Sequence, residues 1–222
     1  MTLDFLSLYN ECAGQPWSMY DSDAEAIDDL ESALKISINK ALSHLWNLQA
    51  WSFRYANTTI NTRANKSDYA VPDGNIVNET IGGVSRHFIK YDNKFLEYME
   101  DYELQEEKTG EPENFFKRGE SLYIYPTPDK AYKIAITYLL LPYGLDVNDN
   151  YLYELKNEDD YINIPEKYEA MFKNCLISLS MMYAIAEETD ENYSAYERQY
   201  KDALSVLMQY CKDNTVDKRI VI

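Results

Sequence analysis

Histidine and cysteine are scarce: His44 and His87 are the two imidazoles in 222 residues, and Cys12, Cys175 and Cys211 are the three thiols. No Cys-x-x-Cys pair occurs and neither histidine has a second one at ligand spacing, so a structural zinc site is excluded. An odd set of widely spaced cysteines is not a disulfide framework, and on apolar helix faces Cys175 and Cys211 read as small buried hydrophobes. No apolar run approaches the roughly 20 residues that cross a bilayer. The opening residues MTLDFLSLYNECAG lack the basic and apolar blocks of a signal peptide, so the expected setting is a reducing cytoplasm. Gly-x-Ser-x-Gly and the P-loop are absent. Basic residues are also few, 21 Lys and Arg against 38 Asp and Glu, and the formal net charge of −17 argues against a surface that grips nucleic acid by counterion release.

Acid and tyrosine are what the chain has in excess. Carboxylate pairs such as Glu106-Glu107, Glu158-Asp159-Asp160 and Glu187-Glu188 have the chemistry of a glycosidase. Without an apolar pocket to raise one pKa, they read as solvated faces. Asp146-Val147-Asn148-Asp149-Asn150 begins like a calcium loop but has Tyr151 where glycine is required and Asn157 in place of the bidentate Glu. The expectation is no catalytic residue, no cofactor and no metal. The 21 tyrosines suit either the core of a mixed fold or contact surfaces that alternate between wet and buried.

Read in order, Thr2 can cap a short helix that ends near Gly14 and carries Leu3, Leu6 and Tyr9, or Phe5 and Leu8, on its apolar side. Ser22 and Glu25 have capping-box spacing ahead of a long helix striped by Ile27, Leu30, Leu34, Ile38, Ala41, Leu45 and Leu48. From Phe53 the period changes to short Thr-, Asn- and aromatic-rich strands, with reversals at Pro72-Asp73-Gly74, Gly82-Gly83 and Asp92-Asn93. Residues 97–107 read as a short solvated helix. Leu122, Ile124 and Pro126 alternate with Tyr123 and Tyr125, and Pro126-Thr127-Pro128-Asp129 supplies turn chemistry before the run Tyr132–Leu140, so these two strands are expected to pair as an antiparallel hairpin. Pro165 then opens a helix carrying Tyr168, Met171 or Phe172, Cys175, Leu179, Met182 and Ala186. Asp190 caps a last helix striped by Tyr193, Tyr196, Tyr200, Leu204, Leu207 and Cys211, antiparallel to the one before.

The fold class that follows is α+β: an antiparallel helical bundle from residues 1–53 and 163–222, with an antiparallel β-rich subdomain, 54–162, inserted between them. Residues 213–222 leave the helical pattern. Lys218, Arg219, Ile220, Val221 and Ile222 form an uncovered β-prone end: a frayed terminus, a strand on the chain's own sheet, or an arm that pairs with a neighbouring subunit or another protein by strand addition or groove insertion.

The succession LYIYPTPD, AYKIAITYLLLPYGL, IPEKYEAMFKNCLISLSMMYAIAEE and YERQYKDALSVLMQY, with ALKISINKALSHLWNLQAWSFRYANTTINTRANKSDYAVPD before it, resembles the head-to-tail connector proteins of short-tailed bacteriophages, the adaptor, gateway or tail tubular A proteins. The resemblance implies a structural protein of the virion neck, made in the host bacterial cytoplasm. It implies a homo-oligomeric ring of twelve copies beneath the portal, which extends the DNA channel, helps retain the genome and docks tail or nozzle proteins. Packaged DNA would pass without specific binding, and no membrane is involved. Two other classes remain at this level: a virion-associated carboxylate-dependent peptidoglycan hydrolase, and an acidic cytoplasmic adaptor unrelated to phage.

Overall fold

The computed structural model describes residues 3–15, 24–71, 73–81, 84–100, 108–185 and 191–213. In chain order the elements are helices α1 (Phe5–Ala13) and α2 (Ala24–Asn47), then strands β1 (Tyr55–Asn61), β2 (Asp68–Ala70), β3 (Gly74–Ile76), β4 (Asn78–Ile81) and β5 (Val84–His87). They continue with β6 (Ile89–Tyr91), β7 (Lys94–Phe95), β8 (Glu97–Tyr98), β9 (Thr109–Gly110), β10 (Asn114–Arg118), β11 (Ser121–Tyr125), β12 (Thr127–Pro128) and β13 (Lys133–Leu140). The chain closes with β14 (Gly144–Leu145), β15 (Tyr151–Leu152), β16 (Tyr161–Ile162), α3 (Glu166–Ala184) and α4 (Glu191–Asp213). Helices from both ends of the chain pack together and the sheets lie between them in sequence, so the fold is α+β. By contacts, the described residues of Met1–Phe53 and Pro142–Arg219 form one unit and those of Arg54–Leu141 a second.

In the helical unit, α3 packs against α1, α2 and α4. It starts after Pro165, which stands just outside the helix as its N-cap, and Glu166 and Glu169 complement the exposed amides of the first turn. Tyr168 near the start of α3 meets Tyr210 near the end of α4, edge to face at 5.5 Å, so the two helices are antiparallel. Leu34, Ile38, Ala41 and Leu45 of α2 are buried as their spacing requires, joined by Leu42 and Trp46, whereas Leu48 falls beyond the helix and is exposed. α1 buries Phe5, Leu8 and Cys12, and Asp4 rather than Thr2 caps it, accepting from the Ser7 amide at 2.7 Å. Asp190 and the Ser22 end of the expected capping box lie outside the described residues.

The β unit has one continuous apolar core. β13 buries alternate residues, and its Ile134 and Ile136 pack with Ile89, Leu96, Phe115, Leu122 and Ile124. The expected hairpin is not formed. β13 is flanked by β1 on one edge and by β3 and β6 on the other, while β11 pairs with β10 and β2 in a separate sheet. The two strands share a core and no ladder. The turn chemistry that does make a hairpin sits earlier, where Arg118 pairs with Ser121 and Gly119, at φ +59°, takes the first loop position. Pro126 to Asp129 instead leads through β12, which runs parallel to β9. Nor is the start of the 97–107 stretch helical: Glu97–Tyr98 runs parallel to β10, with the Met99 amide 2.9 Å from the Phe115 carbonyl, because the neighbouring Leu96 is drawn into the core. Asp92 and Asn93, both at positive φ, make the tight β6–β7 turn their residue types call for.

Candidate interaction surface

Strands of two residues cannot hold a sheet by ladder bonds alone, yet β14 pairs with both β15 and β16 to give a fixed lobe beside the helices. Side chains supply the missing order. The Asp146 carboxylate accepts from the amides of Asn148 and Asn150 at 2.8 and 2.9 Å and from Asn150 Nδ2 at 2.9 Å, closing the β14–β15 loop as an Asx turn. Tyr161 donates its hydroxyl to Asp149, across the lobe. Asp160, fully buried, accepts from the Lys156 and Asn157 amides at 2.7 and 2.8 Å. Asn39 of α2 uses both ends of its amide on the Leu155 backbone, each at 2.9 Å, imitating a neighbouring strand. Gly144 is closely packed: a Cβ there would stand 2.6 Å from Leu155 Cδ2 and 3.2 Å from Leu152 Cβ, so both leucines would have to shift.

This frame displays apolar groups to solvent. Val147 is 67% exposed, Tyr153 56% and Tyr151 45%, among Asp146, Asp149, Glu154, Glu158 and Asp159. Aromatic and aliphatic side chains held out on a pre-ordered loop, rimmed by charge, are the makings of a protein contact. Two consequences can be measured. Asp160→Ala would remove the charged acceptor of the Lys156 and Asn157 amides, and is expected to lower stability by about 1–3 kcal/mol, read by chemical denaturation. Hydrogen bonds from Asn150 and then Asn148 hold the Asp146 carboxyl below its ordinary value of 3.8. A depressed carboxyl stabilises the turn fully above its unfolded pKa, and that contribution is lost as the pH falls below 3.8 through the folded value. The protection factors of amides 148 and 150 should therefore fall as the pH is lowered through that depressed value, an acid effect that Asp146→Asn would abolish.

The other residues singled out by sequence fall as follows. Lys218, Arg219, Ile220, Val221 and Ile222 lie outside the described residues, as do Glu106, Glu107, Glu187 and Glu188. Glu158, Asp159 and Asp160 belong to the lobe's turn, and Asp160 is committed to backbone amides. Asp146 and Asn150, read as a failing calcium loop, bond to each other's segment; among the described residues no group of three His, Cys, Asp or Glu is placed to hold a metal. His44 Nδ1 lies 2.6 Å from the Tyr183 hydroxyl. His87 sits against Tyr98 and Phe115, where burial lowers its pKa. Burial pushes the Cys12 and Cys175 thiols up to about 12, the opposite of a reactive thiolate. Of the tyrosines, Tyr132, Tyr138, Tyr143, Tyr168 and Tyr196 are buried, and Tyr98, Tyr151, Tyr153 and Tyr183 are exposed. Sequence reasoning missed the lobe as a surface, although the Asp146, Asn148, Asn150 spacing carried the turn signal. Among the described residues no helix is long and apolar enough to cross a membrane.

No curated protein matches the chain. The family model described as SU10 adaptor protein matches residues 16–219, which takes in α2, every strand, α3 and α4 and leaves α1 ahead of the match. Membership of such a family points to a structural rather than an enzymatic protein. The chain belongs to the SU10 adaptor protein family of phage adaptors.

Proposed function

We propose that this protein is the head-to-tail adaptor of a bacteriophage, a ring of twelve copies that docks beneath the portal, extends the DNA channel, helps retain the packaged genome and receives tail or nozzle proteins. The observation that carries the reading is the family match across both helical ends and the β unit. Physical properties support it. The helical unit has its own core, so it can fold before the subunit meets a neighbour. The lobe holds Val147, Tyr151 and Tyr153 out on a fixed frame, the form of surface that a lateral or axial contact needs. Twelve copies at −17 each carry about −200 formal charges, so a channel lined by even part of them lets DNA slide rather than adhere.

Ring closure uses a heterologous interface, one face of a subunit against a different face of the next. In this reading the helical domain of residues 1–53 and 163–222 and the β-rich subdomain 54–162 supply those faces, and the tail from Lys218 to Ile222 is an arm to a neighbour or the portal. The neck of the virion is where such a ring acts. Electron microscopy of the purified chain mixed with the portal of the same phage is the test: portal rings with a second ring stacked on them are expected, and portal rings that remain bare would overturn the proposal.

A further inference from the structure

Backbone hydrogen bonds fix which way each residue of β1 faces. On β13, Thr137 donates to the Phe88 carbonyl at 2.9 Å and accepts from the Val77 amide at 3.0 Å, so the backbone groups of Thr137 point away from β1. Thr62, just past β1, donates to the Tyr132 carbonyl at 2.8 Å, so the even-numbered residues are the ones that bond β13. With Asn57 opposite Thr137 in the register, the amides and carbonyls of Asn57, Thr59 and Asn61 face outward along the free side of β1, the end strand of its sheet. Among the described residues nothing is bonded to them. Natural sheets guard such edges with charge, proline or shortness. The other strands at the margins comply: β2 contains Asp68, β7 Lys94, β8 Glu97, β4 Glu79 and β5 Arg86, and none exceeds four residues. β1, reading Tyr-Ala-Asn-Thr-Thr-Ile-Asn, is seven residues long with no charge and no proline.

We propose that the open edge of β1 receives the tail of a neighbouring copy, Arg219 to Ile222, as an added strand. This rests on the ring reading above and names the site its arm would occupy. A ring needs unlike faces in contact, which excludes pairing β1 with another β1 around a two-fold axis. Of the segments outside the described residues, only 214–222 contains a run of β-branched apolar residues, Ile220-Val221-Ile222; the stretches 101–107 and 186–190 are acidic. Nine residues follow α4, enough to span about 30 Å when extended. In an added strand Ile220 and Ile222 share one face, which can continue the half-buried side of β1 that carries Ala56, Thr58 and Ile60.

The test measures hydrogen exchange of full-length protein, dilute and assembled with portal. Asn57, Thr59 and Asn61 amides are expected to exchange at least ten-fold more slowly in the assembly, while Ala56, Thr58 and Ile60 are slow in both. Chains carrying Thr59→Cys, mixed with chains carrying Val221→Cys, should form a disulfide between copies. Thr59→Pro removes only an outward amide, so it should keep the circular dichroism of the parent and weaken assembly at least ten-fold. Stacked rings in which the three amides still exchange fast would overturn the edge assignment and leave the ring intact. Failure of the chain to assemble at all would overturn both. Protection already complete in dilute protein would assign the edge to the chain's own tail, and protection in assemblies of a chain ending at Asp213 would assign it to another strand; either result contradicts the proposal.

Discussion

Replacing Trp46 by alanine is expected to lower stability by about 3–5 kcal/mol, the cost of removing a large buried ring and leaving a cavity. Trp46 is completely buried and its indole meets Phe53, Tyr143 and Phe172 at centroid distances of 5.7, 6.5 and 6.4 Å. Phe53 in turn stacks on Trp51 at 5.7 Å and touches Tyr168 at 5.1 Å. These rings come from α2, the segment after it, the start of the lobe and α3, so one substitution loosens four parts of the helical unit at once. Typical domains have only about 5–15 kcal/mol in total, so this one substitution would remove a large fraction of the stability. Leu48→Ala, at an exposed position two residues on, is the control and should change stability by less than about 0.5 kcal/mol. Urea denaturation followed by circular dichroism reads both. A loss below 1 kcal/mol for Trp46→Ala would mean that the aromatic cluster is not the centre of this unit.

Gly74→Ala is expected to be nearly as damaging although it adds a single methyl group. The new Cβ would lie 2.4 Å from the Leu139 carbonyl oxygen and 2.5 Å from Tyr138 Cδ2. Backbone cannot rotate aside as a side chain can. β3 would have to move off β13, surrendering the pairing of Gly74 with Leu140 and its neighbours. A cost of about 3 kcal/mol, at the upper end of the usual range for overpacking, is expected by denaturation, with exchange of the Val77 amide accelerated first. Asn75→Ala, exposed beside it, should be close to neutral.

Much of the helical unit was legible because periodicity reports burial directly. Leu34, Ile38, Ala41 and Leu45 recur at the helical step and all are buried, and Tyr168, Cys175 and Leu179 do the same in α3. Local turn chemistry was legible where two residues decide it, at Asp92-Asn93. What could not be read was which strand neighbours which. The runs Leu122 to Tyr125 and Tyr132 to Leu140 are adjacent in sequence and both alternate, but alternation states only that one face is buried and says nothing of the partner along the edge. Each found better ladders elsewhere, β13 with β1 over seven residue pairs. Residues 97–98 misled for a related reason: acidity pointed to solvent, and the side chains are exposed, yet the backbone is held beside β10. The lobe's surface was hidden because Val147, Tyr151 and Tyr153 look like core residues by type, and only the Asp146 and Asp160 turns reveal that the frame beneath them is complete without them.

A cryo-electron-microscopy reconstruction of the neck of the mature virion tests the central claim most directly. Density for this chain is expected as a closed ring directly below the portal, with the helical units of adjacent copies side by side around the DNA channel. A virion whose neck is built without this polypeptide, or one that carries it away from the portal, would contradict the account.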